Sequence, residues 1–369
     1  MNNIEEYDIN VKAINDDNIK GKSYIVPPNI EKGFFFGYAI FIPEGCKTDT
    51  TLLVHCCNTG GAGITDGKLD RTKPSITLED GELAAKLQSF NPNEALWCGY
   101  DLKMPVLTPL FPRVRGFYTH YLTSKVYNND VSDLIKINEE WKDYGYLSKE
   151  EIIIIKEKLV DLPKQLANML DNAKDVLTVL GINIDSKVIL EGYSASAKFA
   201  NLFTALHPEK VKACVAGGTS GNIILPMKQL EGQELKFPLG IADVKDFDLE
   251  SFAKIPQFYF IGDQDNNDPA EVKEIVDGKY IPEYPDCYTT HETTQIHTLL
   301  GKTVQERFEK TKEYYEQYGI NAKFKKYYGD HVHVIFLQYI KTGKYVVHEK
   351  VKSFIKKVLK NEKTKTKSK

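Results

Sequence analysis

A serine, two closely spaced aspartates and two closely spaced histidines follow one another along the chain as Ser194, Asp263 and Asp265, then His331 and His333. A serine hydroxyl is a weak nucleophile at neutral pH. It needs a base to take its proton, a carboxylate to orient that base, and donors for the oxyanion that forms on the attacked carbonyl. The serine sits in Glu191-Gly192-Tyr193-Ser194-Ala195-Ser196-Ala197. That string is a near match to G-x-S-x-G, with Ser196 where the last glycine is usual. Small neighbours let a backbone bend sharply and expose the hydroxyl.

The elements that would position these residues are legible around them. Val188, Ile189 and Leu190 read as a short buried strand, and Lys198 to Leu206 reads as a helix, so Ser194 lies on a strand-to-helix turn. The strand Phe258-Tyr259-Phe260-Ile261 runs into Gly262-Asp263-Gln264-Asp265, which favours Asp265 as the acid and keeps Asp263 in reserve. The strand Phe324 to Tyr328 runs into Gly329-Asp330-His331-Val332-His333, where His331, nearer the strand end, is preferred as the base. Residues just past the carboxyl ends of parallel strands share one rim. The chain order Ser, Asp, His also fits. Ala195 is expected to supply one oxyanion amide and Cys57 or Asn58, after the strand Thr51 to His55, the other.

Further strands are expected at Ser23 to Val26, Gly33 to Ile42, Met104 to Leu110 and Val211 to Val215. Helices are expected at Leu78 to Leu87, Leu162 to Leu180, Thr303 to Tyr318 and Lys344 to Leu359. The first two strands read as an antiparallel lead-in. The later alternation implies an α/β class with a mostly parallel central sheet flanked by helices. Two stretches interrupt it. Residues 113–160 form an aromatic-rich insertion with a capping-box pattern at Ser148 to Glu151, a candidate lid, and Pro269 to Leu300 is polar and rich in Tyr, Thr and His. Tyr193, Tyr118 and His120 are the candidate substrate contacts. Tyrosines in the insertion would suit an aromatic or apolar acyl or alcohol group.

Bulk properties exclude several classes. The 369 residues are 42% hydrophobic and 27% charged, with net charge −3, so no strong positive field invites nucleic acid. Residues 360–369 are lysine-rich and polar and read as a disordered basic tail. No apolar window reaches the roughly 18 residues of a membrane span, and the start of the chain lacks a signal-peptide pattern, so a cytoplasmic location is expected unless an export signal was removed. Six cysteines, two of them adjacent, do not resemble a disulfide framework. Asp263, Asp265, Asn267 and Glu274 echo a calcium loop, but Asp268 stands where that loop needs glycine. No cluster completes a zinc ligand set, and no metal or cofactor is expected.

Taken together, Leu53 to Gly60, Val106 to Arg113, Tyr118-Thr119-His120, Gly192 to Ser196, Phe237 to Asp243 and Gly262 to Asp268 resemble bacterial α/β hydrolases. The group is often described as lipoproteins and is loosely akin to polyhydroxyalkanoate depolymerases and feruloyl esterases. The resemblance implies one α/β-hydrolase domain over residues 1–369 with a Ser194, Asp265, His331 site. The implied activity is a serine esterase working through an acyl-enzyme on a small-molecule or polymeric ester. A peptidase or thioesterase on the same triad, and a non-catalytic binding module, are the alternatives; a homo-oligomer is left open.

Overall fold

The computed structural model describes residues 4–12, 18–56, 63–70, 75, 77–91, 93–112, 114, 147–221, 223–284, 287–331, 334 and 345–367. The chain divides into two compact units, Met1–Ser186 and Lys187–Lys369.

In the first unit, strands β1 (Glu5–Lys12), β2 (Asn18–Val26), β3 (Tyr38–Pro43), β4 (Leu53–His55) and β5 (Val106–Pro109) lie in the order β1-β2-β3-β5-β4. Pairing is antiparallel from β1 through β5 and parallel between β5 and β4. The expected antiparallel lead-in is thus present and one strand longer. Tyr7, Ile9 and Val11 alternate with polar residues in β1, a period-2 signal the sequence reading passed over. Helices α1 (Leu78–Ser89) and α2 (Glu94–Leu102) are capped by the Thr77 and Asn93 side chains, and α2 was not anticipated. Helix α3 (Lys149–Lys158) carries the expected capping box of Ser148 and Glu151, and α4 (Leu162–Val179) follows. The lid expected over 113–160 falls mostly on residues 115–146, outside the described ones.

In the second unit, strands β6 (Val188–Tyr193), β7 (Val211–Gly217), β8 (Gln257–Gly262) and β9 (Ala322–Tyr327) lie side by side in that order, paired parallel throughout. Between and after them come α5 (Ala195–Leu206), α6 (Leu249–Lys254), α7 (Thr290–Gln295), α8 (Val304–Gln317) and α9 (Val346–Lys367). Strand–helix alternation with parallel pairing makes this an α/β unit, as expected. Every residue of β7 and β8 is buried, and helices α5 and α9 both pack on β7. Buried parallel strands read as unbroken apolar runs for this reason. Helical backbone continues through Lys367, into the segment whose composition reads as a tail; lysine is a good helix former.

A buried polar network fixes α5. Asn201 donates to the Tyr259 and Tyr315 hydroxyls and accepts the Ile224 N–H, while Tyr315 donates to the Ile224 carbonyl. The polar stretch after β8 contains a hairpin, Val272–Val276 paired with Lys279–Pro282, then α7 and a π-helical turn, Ile296–Leu300. Asp277 and Gly278 turn the hairpin with φ of 49° and 76°, the Asp-Gly geometry of a type I′ turn.

Candidate active site

Strand β6 ends at Tyr193 and α5 begins at Ala195, so one residue makes the whole turn. That residue is Ser194, with φ 59° and ψ −125°, a conformation that costs a side-chain-bearing residue of order 1–3 kcal/mol. The surroundings hold it there. The Ser194 N–H donates to the Gly217 carbonyl at 2.9 Å, and the Ser194 carbonyl accepts the Ala197 N–H at 3.0 Å. Gly192 is required by close approach, since a Cβ there would lie 2.4 Å from the Ser196 carbonyl oxygen.

Ser196 does more than stand in for a glycine. Its fully buried hydroxyl accepts the Tyr193 N–H at 2.9 Å and donates to the Tyr193 carbonyl at 2.7 Å. It therefore engages both backbone groups of the residue before the nucleophile candidate.

Past the end of β8 the two aspartates make different contacts. Asp265 is buried; one carboxylate oxygen accepts the Asn267 N–H at 3.1 Å, and the other faces His331 Nδ1 at 2.9 Å. Asp263 instead accepts the Gly329 N–H at 3.0 Å, which pins the loop leading to the histidine. Gln264 N–H donates to the Gly329 carbonyl at 2.9 Å and reinforces the same contact. Gln305, on α8, donates to the carbonyls of Gly262 and Asp265 at 2.8 and 3.2 Å and holds the turn from below.

His331 follows β9 and closes the set. Its Nε2 lies 3.0 Å from Ser194 Oγ, opposite the contact of Nδ1 with Asp265. A carboxylate only accepts, so Nδ1 carries the proton and Nε2 of the neutral ring accepts the serine hydroxyl. The Asp265 side chain has no exposed surface and that of His331 is 14% exposed, so the chain of hydrogen bonds runs from the interior to an accessible imidazole edge. Both ring nitrogens of His331 are engaged within this chain, and Asp263 and Asp265 are each committed to the contacts above.

The remaining sequence candidates fall differently. Ala195 opens α5, so its N–H has no intrahelical acceptor and sits beside the serine. Cys57, Asn58, Tyr118, His120 and His333 lie outside the described residues. Tyr193, expected as a substrate contact, donates its hydroxyl to the His331 carbonyl at 2.6 Å, and its ring packs 5.4 Å from the imidazole. Cys46, Cys56, Cys98, Cys214 and Cys287 form no disulfide, and among the described residues no helix is long and apolar enough to cross a membrane.

Two features were missed on sequence. A cleft of about 500 Å³ opens beside His331, walled by Asn266, Asn267, Asp268, Glu271, Tyr284 and Asp330. Beneath this region Lys198, on α5, donates to the Tyr288 hydroxyl at 2.7 Å, and the fully buried Arg307 pairs with Asp268 at 2.6 Å. Burial pulls the Lys198 ammonium down to about 7, a fall that nearby Arg307 adds to and that Cys287 and Asp268 oppose. A lone lysine in the apolar run Ala197-Lys198-Phe199-Ala200 was the available signal.

No protein family and no curated protein matches the sequence. Solved structures with similar chain traces include poly(aspartic acid) hydrolase-1 from Sphingomonas sp. KT-1, at 14% identity and TM-score 0.48, covering 86% of this chain and 96% of that one. An S-formylglutathione hydrolase from Agrobacterium tumefaciens aligns at 12% identity and TM-score 0.42 over 95% of this chain and 98% of its own. A thermostable esterase aligns at 12% identity and TM-score 0.40 over 87% and 62%. At TM-scores below 0.5, the functional reading rests on the geometry around Ser194.

Proposed function

We propose that the chain is a serine hydrolase of the α/β-hydrolase type, cleaving carboxylic esters through an acyl-enzyme. The observation that carries this is the continuous hydrogen-bond chain from Asp265 through His331 to Ser194, with Ser194 on a strained strand-to-helix turn. Ser194 Oγ attacks the ester carbonyl as His331 Nε2 takes its proton, and Asp265 stabilises the imidazolium that results. The negative charge moves to the carbonyl oxygen, where the Ala195 N–H at the head of α5 is one donor, aided by the helix dipole. Collapse returns the proton to the departing alcohol and leaves the acyl group on Ser194. Water, deprotonated by the same imidazole, then releases the acid and restores the serine.

One α/β-hydrolase domain spanning residues 1–369, with a lid in 113–160, belongs to this proposal, as do Cys57 or Asn58 as the second oxyanion donor. The cleft beside His331 supports a polar ester, because its walls carry amides and carboxylates. The test is pre-steady-state hydrolysis of p-nitrophenyl acetate. A burst of p-nitrophenol matching the enzyme concentration, lost in Ser194→Ala, is expected. A linear, burst-free release retained by Ser194→Ala would overturn the proposal.

A further inference from the structure

Tyr193 occupies an unusual position: it is covalently joined to the nucleophile candidate and hydrogen-bonded to the base. Its hydroxyl donates to the main-chain carbonyl of His331 at 2.6 Å. Its ring lies 5.4 Å from the His331 ring and 6.1 Å from that of Phe260 on β8. Gly218, with φ 61°, passes beneath both rings; a Cβ there would come within 2.8 Å of Tyr193 Cζ and 3.0 Å of His331 Cε1. The backbone of Tyr193 is in turn fixed by the Ser196 hydroxyl at both its N–H and its carbonyl.

The loop that delivers His331 is short, and its upstream side is pinned at Gly329 by Asp263 and Gln264. The contact at the His331 carbonyl falls to Tyr193. Resting on the serine-hydrolase reading, we propose that Tyr193 is a positioning residue: its hydroxyl fixes the His331 main chain so that the imidazole stays in register with Ser194. Any movement of β6's end then carries base and nucleophile together, because one side chain spans both.

Burial, with the charges of Asp265 and Asp330 adding to it, pushes the Tyr193 phenol far above its ordinary range, so the hydroxyl stays a donor near neutral pH. A displaced base costs rate far more than binding, since proton transfer depends on tenths of an ångström while the substrate pocket is untouched. This replaces the sequence expectation that Tyr193 meets the substrate.

The experiment compares wild type, Tyr193→Phe and a protein with 4-aminophenylalanine at position 193, all in p-nitrophenyl acetate hydrolysis. Phenylalanine keeps the ring and removes the donor; the amino analogue restores a weaker one. The expected result is a kcat lower by about tenfold in Tyr193→Phe at unchanged KM, with the amino analogue recovering most of the loss. A Tyr193→Phe kcat within about twofold of wild type, or a raised KM at constant kcat, would overturn the proposal. Should the phenylalanine protein not fold, 4-fluorophenylalanine, which fills the place of the hydroxyl without donating, is used at position 193 instead; a kcat within about twofold of wild type would overturn the proposal, and a loss of about tenfold would support it. Hydrolysis retained in Ser194→Ala marks failure of the serine-hydrolase reading instead, so the two failures are distinct.

Discussion

Asp263 holds the Gly329 N–H at 3.0 Å while Asp265, two positions on, faces His331 at 2.9 Å. One turn after β8 thus supplies both a brace for the histidine loop and a carboxylate against the histidine itself. The division is a matter of which side of the turn each side chain leaves, and it makes the two residues separable by experiment.

Removing the Asp265 carboxylate is expected to lower kcat by roughly a thousandfold or more, since the imidazole loses both its tautomer and its counter-charge. Asp263→Ala should cost about tenfold or less, because only one loop hydrogen bond is lost. Steady-state kinetics of the two variants on one ester decides; comparable losses would mean that the assignment of roles between them is wrong.

The same pair shows how far sequence alone could reach. Ser194 stood out because it follows the unbroken aliphatic run Val188-Ile189-Leu190, and buried parallel strands announce their own ends, whereas His331 follows a lysine-interrupted, half-buried strand and stood out by its place just past the strand end. Asp263 and Asp265 could not be ranked with the same force, since both follow Gly262 and the choice depends on turn geometry that no local pattern encodes. The bond of Tyr193 to His331 was out of reach for a related reason: its partner is a main-chain carbonyl 138 positions away, a contact invisible to spacing. Strand β1 and the Asp277-Gly278 hairpin did carry readable signals, alternation and an Asp-Gly turn. Helix α2 is nine residues long and mostly buried, which blurs its periodicity.

Ser196 gives a stability test of the turn. Ser196→Ala removes the hydroxyl that engages both the N–H and the carbonyl of Tyr193, and a loss of about 1–3 kcal/mol is expected in urea unfolding. An unchanged midpoint would show that the hydroxyl contributes nothing to holding the turn.

Lys198 links stability to pH. Its folded value of about 7 lies below the ordinary value near 10.4, so between these limits the unfolded chain binds the extra proton. Stability should therefore rise as pH rises from about 7 towards 9.5, by up to about 1.4 kcal/mol per pH unit from this group, with the full penalty present below 7. Urea midpoints of wild type and Lys198→Met across that window test this; the mutant profile should be flatter, and parallel profiles would refute the assignment.

Arg307 is fully buried and pairs with Asp268. Asp268→Ala strands that cation in the interior, with an expected loss of about 3–5 kcal/mol, whereas Asp268→Ala combined with Arg307→Met should recover most of it. Thermal unfolding of both proteins is the measurement; a double mutant no better than the single one would show that the charge is not the cause.

The central claim is that Ser194 is an activated nucleophile. Labelling with a fluorophosphonate probe, followed by mass mapping of the modified peptide, tests it most directly. Stoichiometric modification of Ser194 in wild type, absent in Ser194→Ala and strongly slowed in a folded His331→Gln, is the expected result. A folded wild-type protein that stays unlabelled, or is labelled at another residue, would contradict the account.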